Sequence, residues 1–185
     1  MEQILSVLLI EDDVTTCNEI EQCINKFDNL KLIGITNNSY EALKLVQTVL
    51  PNIVLLDLEL HYGGGNGLLF LSELKKLQLE HPPYILITTH NMSEVTLEHA
   101  RQLGADFTLT KYEEGYSAQY VIDTIRLMKY AILKKNTITA PLPHSSPDKT
   151  EHLLIKRIRR ELDLIGISPK VKGYTYLADA ILLTI

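Results

Sequence analysis

Short apolar runs recur along this chain, each followed by a stretch whose apolar residues return at helical spacing. The first run, residues 6–10, ends in Glu11-Asp12-Asp13, and residues 14–27 then place Cys17, Ile20 and Ile24 on one helical face. Residues 30–35 predict a second strand, after which Asn37-Asn38-Ser39 offers cap chemistry for a helix carrying Ala42, Leu43, Val46 and Leu50. Residues 53–58 are almost wholly apolar and lie between Pro51-Asn52 and the run Tyr62-Gly63-Gly64-Gly65-Asn66-Gly67, as suits a strand buried on both faces. A helix over 68–79 stops before Pro82-Pro83, and residues 84–88 predict a fourth strand. Ser93 caps a helix that ends at Gly104, residues 107–110 form a short fifth strand leading to Lys111, and a last helix covers 117–133.

Strands alternating with helices imply a parallel sheet with right-handed crossovers and helices on both faces, an α/β domain over residues 1–133. Residues 134–150 change character, with three prolines among small polar residues, and predict a linker. Beyond it, Leu153, Leu154, Ile158, Leu162 and Ile165 line one face of a basic helix, and a second helix spans 174–183 after Gly166 to Gly173 turn the chain. The apolar ending Leu-Leu-Thr-Ile is expected to be a cut rather than a natural stop.

Composition narrows the class. Hydrophobic residues at 45% and charged residues at 22% suit a globular chain, and no run reaches the length of a membrane span, so the expected location is the cytoplasm. Cys17 and Cys23 are expected to be reduced and partly buried, with no chemistry assigned. The net charge of −5 hides an asymmetry: residues 149–185 hold seven Lys or Arg against four acids, which with Lys134, Lys135 and Asp148 leaves −9 in residues 1–133. Nucleic acid suits only the basic end.

The residue to explain is Asp57, which closes the most apolar run. In doubly wound sheets the ligand crevice lies outside the carboxyl ends of the strands, so an acid there is either reactive or the cap of the next turn. Glu11, Asp12, Asp57, Thr88 and Lys111 all fall at such strand ends. Ile-Glu-Asp-Asp, Leu-Asp-Leu, Leu-Ile-Thr-Thr and Gly-Ala-Asp-Phe-Thr-Leu-Thr-Lys, in that order, resemble the response regulator receiver domain over residues 4 to about 130. The resemblance implies a flavodoxin-like (βα)5 fold with strand order 2-1-3-4-5 and a short helical C-terminal appendage. It makes Asp57 the phosphoacceptor, with Thr88 hydrogen-bonding the phosphoryl group and Lys111 offsetting its charge. It also implies Mg²⁺ held by Glu11, Asp12, Asp57 and the backbone carbonyl of Glu59. Three crowded carboxylates repel unless a cation neutralises them, which is the physical reason for the ion. The implied partner is a histidine kinase or phosphotransfer protein, with homodimerisation on phosphorylation. Apart from its own phosphorylation and dephosphorylation, no enzyme activity is implied.

Other features have plainer readings. Asp13 reads as an N-cap, Thr89 as strand filler, Gly63 to Gly67 as a flexible turn rather than a phosphate loop, and the six histidines as surface or structural residues. The chain departs from the family at Thr108, where an aromatic switch residue is usual and from which Phe107 points to the other face. It departs again at Tyr112 and His61, where proline is usual, and in a longer loop after Asp57.

Residues 166–181 are similar to the start of the DNA-binding effector domain of stage-zero sporulation protein A, with a Gly-x-x-Pro-x-x-x-Gly-Tyr core and Tyr-Leu-x-x-Ala-Ile after it. That family's helix-turn-helix lies beyond residue 185, so base reading, and with it DNA binding, requires the full effector domain. The expected function is a phosphorylation-switched, sporulation-type regulator of transcription. Its rivals are a phosphorylation-independent docking or dimerisation module and an aspartyl-phosphate phosphatase. The second is disfavoured because such enzymes carry the nucleophile on the first strand and need a substrate cap.

Overall fold

The computed structural model describes residues 3–137. Its strands are β1 Leu5–Ile10, β2 Leu30–Thr36, β3 Ile53–Asp57, β4 Tyr84–Thr89 and β5 Phe107–Thr110. Its helices are α1 Val14–Ile24, α2 Ser39–Val49, α3 Gly67–Lys76, α4 Glu94–Gln102, α5 Ala118–Leu127 and α6 Lys129–Thr137. All strand pairs are parallel and the sheet runs β2-β1-β3-β4-β5, the order expected of the flavodoxin-like fold. Residues 138–150 of the expected linker and the expected effector segment 151–185 lie outside the described residues.

Alternation along the strands divides the core in two. Leu5, Val7, Leu9, Ile53, Leu55, Leu86 and Leu109 pack with α1 and α5, through Ile20, Ile24, Val121, Ile122 and Ile125. Leu8, Ile10, Val54, Leu56, Ile85 and Ile87 pack on the other face with α2, α3 and α4, through Ala42, Val46, Phe70, Leu71 and Ala100. Every residue of β3 and β4 is buried, which explains why those runs lack a polar face.

Helix starts follow cap chemistry. Asp13 accepts the N–H groups of Thr15 and Thr16 at 3.2 and 3.1 Å, Asn38 those of Tyr40 and Glu41 at 2.9 and 3.2 Å, and Ser93 that of Thr96 at 3.4 Å. Helix ends are set by contacts that the periodicity does not show. α3 stops at Lys76, short of the expected 79, as the chain turns out through Gln78 at φ 46°. The last helix breaks at Met128 and resumes as α6, so residues 134–137, expected to open the linker, are helical. Ile132 is fully buried, the Lys135 ammonium pairs with Asp106, and Asn136 Nδ2 donates to the Asn52 carbonyl at 3.3 Å. These contacts tie α6 to the sheet.

Candidate functional site

Strand parity gathers the site. Glu11, Asp57, Thr88 and Lys111 continue the alternation of Leu9, Leu55, Leu86 and Leu109, so all four side chains emerge on the α1/α5 face, just past the carboxyl ends of the buried strands. Asp57 pairs in register with Thr88, and Thr88 with Leu109. A slip of one residue between any two of these strands would send one member to the opposite face.

Lys111 occupies the centre. Its ammonium donates to Asp57 Oδ2 at 2.6 Å and to Glu11 Oε2 at 3.0 Å, with all three side chains almost fully buried. It is thus no solvated surface lysine. Burial alone would draw the ammonium pKa down, but the hydrogen bond and charge of Asp57, aided by Glu11, outweigh it and hold the group above its ordinary value. Glu11 is pushed up to about 7 by burial and then by the negative charge of Asp57, with Lys111 opposing. Burial and the neighbouring acids raise the Cys17 thiol to about 11.

Glu11, Asp12 and Asp57 each offer an oxygen within 4.8 Å of the others. Three carboxylates at that spacing fit a hard divalent cation that takes oxygen ligands, as Mg²⁺ does. Asp12 is held differently from its neighbours: the backbone N–H groups of His61 and Tyr62 donate to its Oδ2 at 2.6 and 3.2 Å. Glu59 donates its N–H to Asp57 Oδ1 at 2.9 Å while its carboxylate turns away. That carboxylate accepts the Thr89 hydroxyl at 3.1 Å and the His90 N–H at 2.9 Å. Thr89 is therefore not filler. It is fully buried on the other face of β4 and latches the loop after β3 to the loop after β4.

The surrounding pocket, about 450 Å³, also takes in His61, His90 and Tyr116. Two of the six histidines, both exposed as expected, line the pocket rim, and both, like Tyr116, lie in loops whose approach no spacing in the sequence reports. Burial raises the Tyr116 phenol above its ordinary value, with Lys111 and the nearby Thr88 hydroxyl opposing. Its ring packs against the α1/α5 core. Thr108 pairs with Ile87, on the α4 side of the sheet, and Phe107 falls on the opposite face of β5, as alternation requires. Tyr112 is exposed, with its ring edge-to-face with His90 at 5.1 Å between centroids. The glycine loop is less free than a flexible turn. Asn38 Nδ2 donates to the Gly63 carbonyl, the Ser39 N–H to the Gly64 carbonyl at 3.1 Å, and the Ser39 hydroxyl to the Asn66 carbonyl at 2.9 Å.

A parallel sheet in this order, with acids at the ends of β1 and β3 bridged by a lysine beyond β5, is the arrangement of a signal receiver. Residues 7–117 match the family described as the response regulator receiver domain, and the chain belongs to that family. It is similar to a DNA-binding response regulator of the LuxR family from Staphylococcus aureus, with 26% identity over 67% of this chain and 98% of the other, at a TM-score of 0.58. A CheY-like receiver domain from Methanospirillum hungatei shares the fold at 17% identity, covering 72% of this chain and 99% of the other, with a TM-score of 0.59. The receiver domain of a LuxO repressor protein from Vibrio parahaemolyticus does so at 18% identity over 74% and 98%, with a TM-score of 0.61. Family membership places the chain in two-component signalling. Among the described residues no helix is long and apolar enough to cross a membrane.

Proposed function

We propose that this chain is a phosphorylation-switched response regulator in which Asp57 accepts a phosphoryl group from a histidine kinase or phosphotransfer protein. The observation that carries the reading is the buried Lys111 ammonium bridging Asp57 and Glu11 at 2.6 and 3.0 Å inside a cluster of three carboxylates. An Asp57 carboxylate oxygen attacks phosphorus in line, the new O–P bond forms, and the bond to the donor's imidazole nitrogen breaks as that nitrogen leaves and takes up a proton. Lys111 follows the charge from the carboxylate to the phosphoryl oxygens, and Thr88 supplies a hydroxyl donor to them. Glu11, Asp12, Asp57 and the Glu59 carbonyl would hold Mg²⁺. When bound, that ion offsets charge on the phosphoryl oxygens and orients them.

The wider reading follows the chain's organisation. Residues 1–137 act as the receiver, with α6 as its last helix, 138–150 as a linker, and 151–185 as the start of a sporulation-type effector whose transcriptional output requires the rest of that domain. The site serves only its own modification and is not an enzyme acting on separate substrates. The setting is cytoplasmic, and the phosphorylated receiver dimerises.

A second reading, a docking module independent of phosphorylation, is favoured by Thr108, which puts no aromatic on the α4 side of β5. One experiment separates them. The full chain is incubated with acetyl phosphate or phosphoramidate and Mg²⁺, then examined by intact mass and size exclusion, with Asp57→Ala alongside. A single phosphoryl adduct, lost in Asp57→Ala and accompanied by a shift toward dimer, is the expected result. No adduct with any donor would sink the phosphorylation reading in favour of the docking module.

A further inference from the structure

The loop between β3 and α3 is anchored on two sides, by the start of α2 and by Asp12. On the α2 side, Asn38 and Ser39 bind the carbonyls of Gly63, Gly64 and Asn66. Gly63, Gly64 and Gly65 take φ values of 99°, 104° and 77°, which L side chains rarely adopt. A Cβ on Gly63 would stand 2.5 Å from the Asn37 carbonyl oxygen, and one on Gly65 would stand 2.6 Å from Ser39 Oγ. The loop is thus wound tightly against the start of α2. At its other end the His61 and Tyr62 amides converge on Asp12 Oδ2 at 2.6 and 3.2 Å.

The three acids of the cluster are consequently restrained by two different means. Glu11 and Asp57 share the Lys111 ammonium, a full positive charge that competes with any incoming cation. Asp12 is fixed instead by two neutral backbone N–H groups, which hold Oδ2 in place without adding a cation to the site. We propose that residues 61–65 form a backbone-built clamp that orients Asp12 toward a divalent cation, with His61 and Tyr62 as positioning residues acting through their amides. This rests on the reading of the acidic cluster as a Mg²⁺ site. The His61 imidazole contributes little, because its side chain is 74% exposed and its Nδ1 stands 3.7 Å from Asp12 Oδ2. The residue type at 61 matters chiefly through whether it has an N–H, and proline has none.

The test is calorimetric titration of the full chain with Mg²⁺ alone, on the wild type, His61→Ala, His61→Pro and Gly65→Ala, with thermal melts in EDTA to compare metal-free stability. His61→Ala keeps the amide and should bind Mg²⁺ within about twofold of wild type. His61→Pro removes one donor, and Gly65→Ala unseats the loop at a distance from the acids; each should weaken binding by about tenfold, the scale typical of partners that orient a metal ligand. Wild-type affinity in His61→Pro would overturn the clamp, and equal weakening in His61→Ala would assign the effect to the imidazole instead. If His61→Pro fails to fold, Gly65→Ala decides, and unchanged affinity there overturns the proposal. A wild type that binds no Mg²⁺ removes the cation reading and the clamp together, whereas binding in wild type with no response in the variants removes the clamp alone.

Discussion

Glu11 stands between opposing influences, since burial and Asp57 hold its proton on while Lys111 draws it off, and the balance leaves it at about 7 against an ordinary 4.5. Between those values the folded, metal-free chain keeps a proton that the unfolded chain releases, so the stability contributed by this group falls as pH rises through the window. Lys111 does not offset the loss there, because its raised pKa contributes stability that persists through neutral pH and is lost only in the alkaline range. Urea unfolding in EDTA at about pH 5 and about pH 7.5 should show wild type losing on the order of 2 kcal/mol more than Glu11→Gln. Thr89 offers a second test at this scale. Thr89→Val keeps the shape but strips one donor from the Glu59 carboxylate and the acceptor of the Asn91 N–H, and should lower stability by about 1–3 kcal/mol in the same assay.

Among the elements, α6 has the clearest consequence. A chain shortened to residue 133 matches the boundary that composition suggests, yet it cuts off the lysine paired with Asp106 and the asparagine that reaches the Asn52 carbonyl. Asp106 also accepts the Ile85 N–H at 2.7 Å, so the pair steadies the base of β4. Chains ending at 133 and at 139 should therefore differ in thermal midpoint, the shorter being lower by about 3–4 °C for each kcal/mol lost. Equal midpoints would show that α6 merely rests on the domain. The sequence obscured this helix because Lys134, Lys135 and Asn136 look like the start of a polar linker, and only their partners on distant segments make them part of the fold.

For the whole molecule, a cation bound to the folded state alone must stabilise it by mass action. At ten times its dissociation constant Mg²⁺ should add about 1.4 kcal/mol to unfolding, and Asp12→Asn or Asp57→Asn should abolish most of the gain. Thermal melts across a Mg²⁺ series check this without any phosphodonor. Raising pH toward neutrality should strengthen the response, because cation binding competes with the proton on Glu11.

By itself the sequence determined the architecture and the candidate site: apolar runs 53–58 and 84–88, short and bounded by proline, asparagine or glycine, read as buried strands, and acids or a lysine at successive strand ends meet at one edge of a parallel sheet. The N-caps at Asp13 and Ser93 were equally legible, because capping is a contact between residues a few positions apart. Tertiary structure alone decided that Thr89 latches Glu59, that Tyr116 lines the pocket, that α6 docks, and that the loop after β3 turns its amides onto Asp12. Each of these joins segments distant in sequence through a side chain or amide whose direction depends on how loops pack, and hydrophobic periodicity carries no record of that.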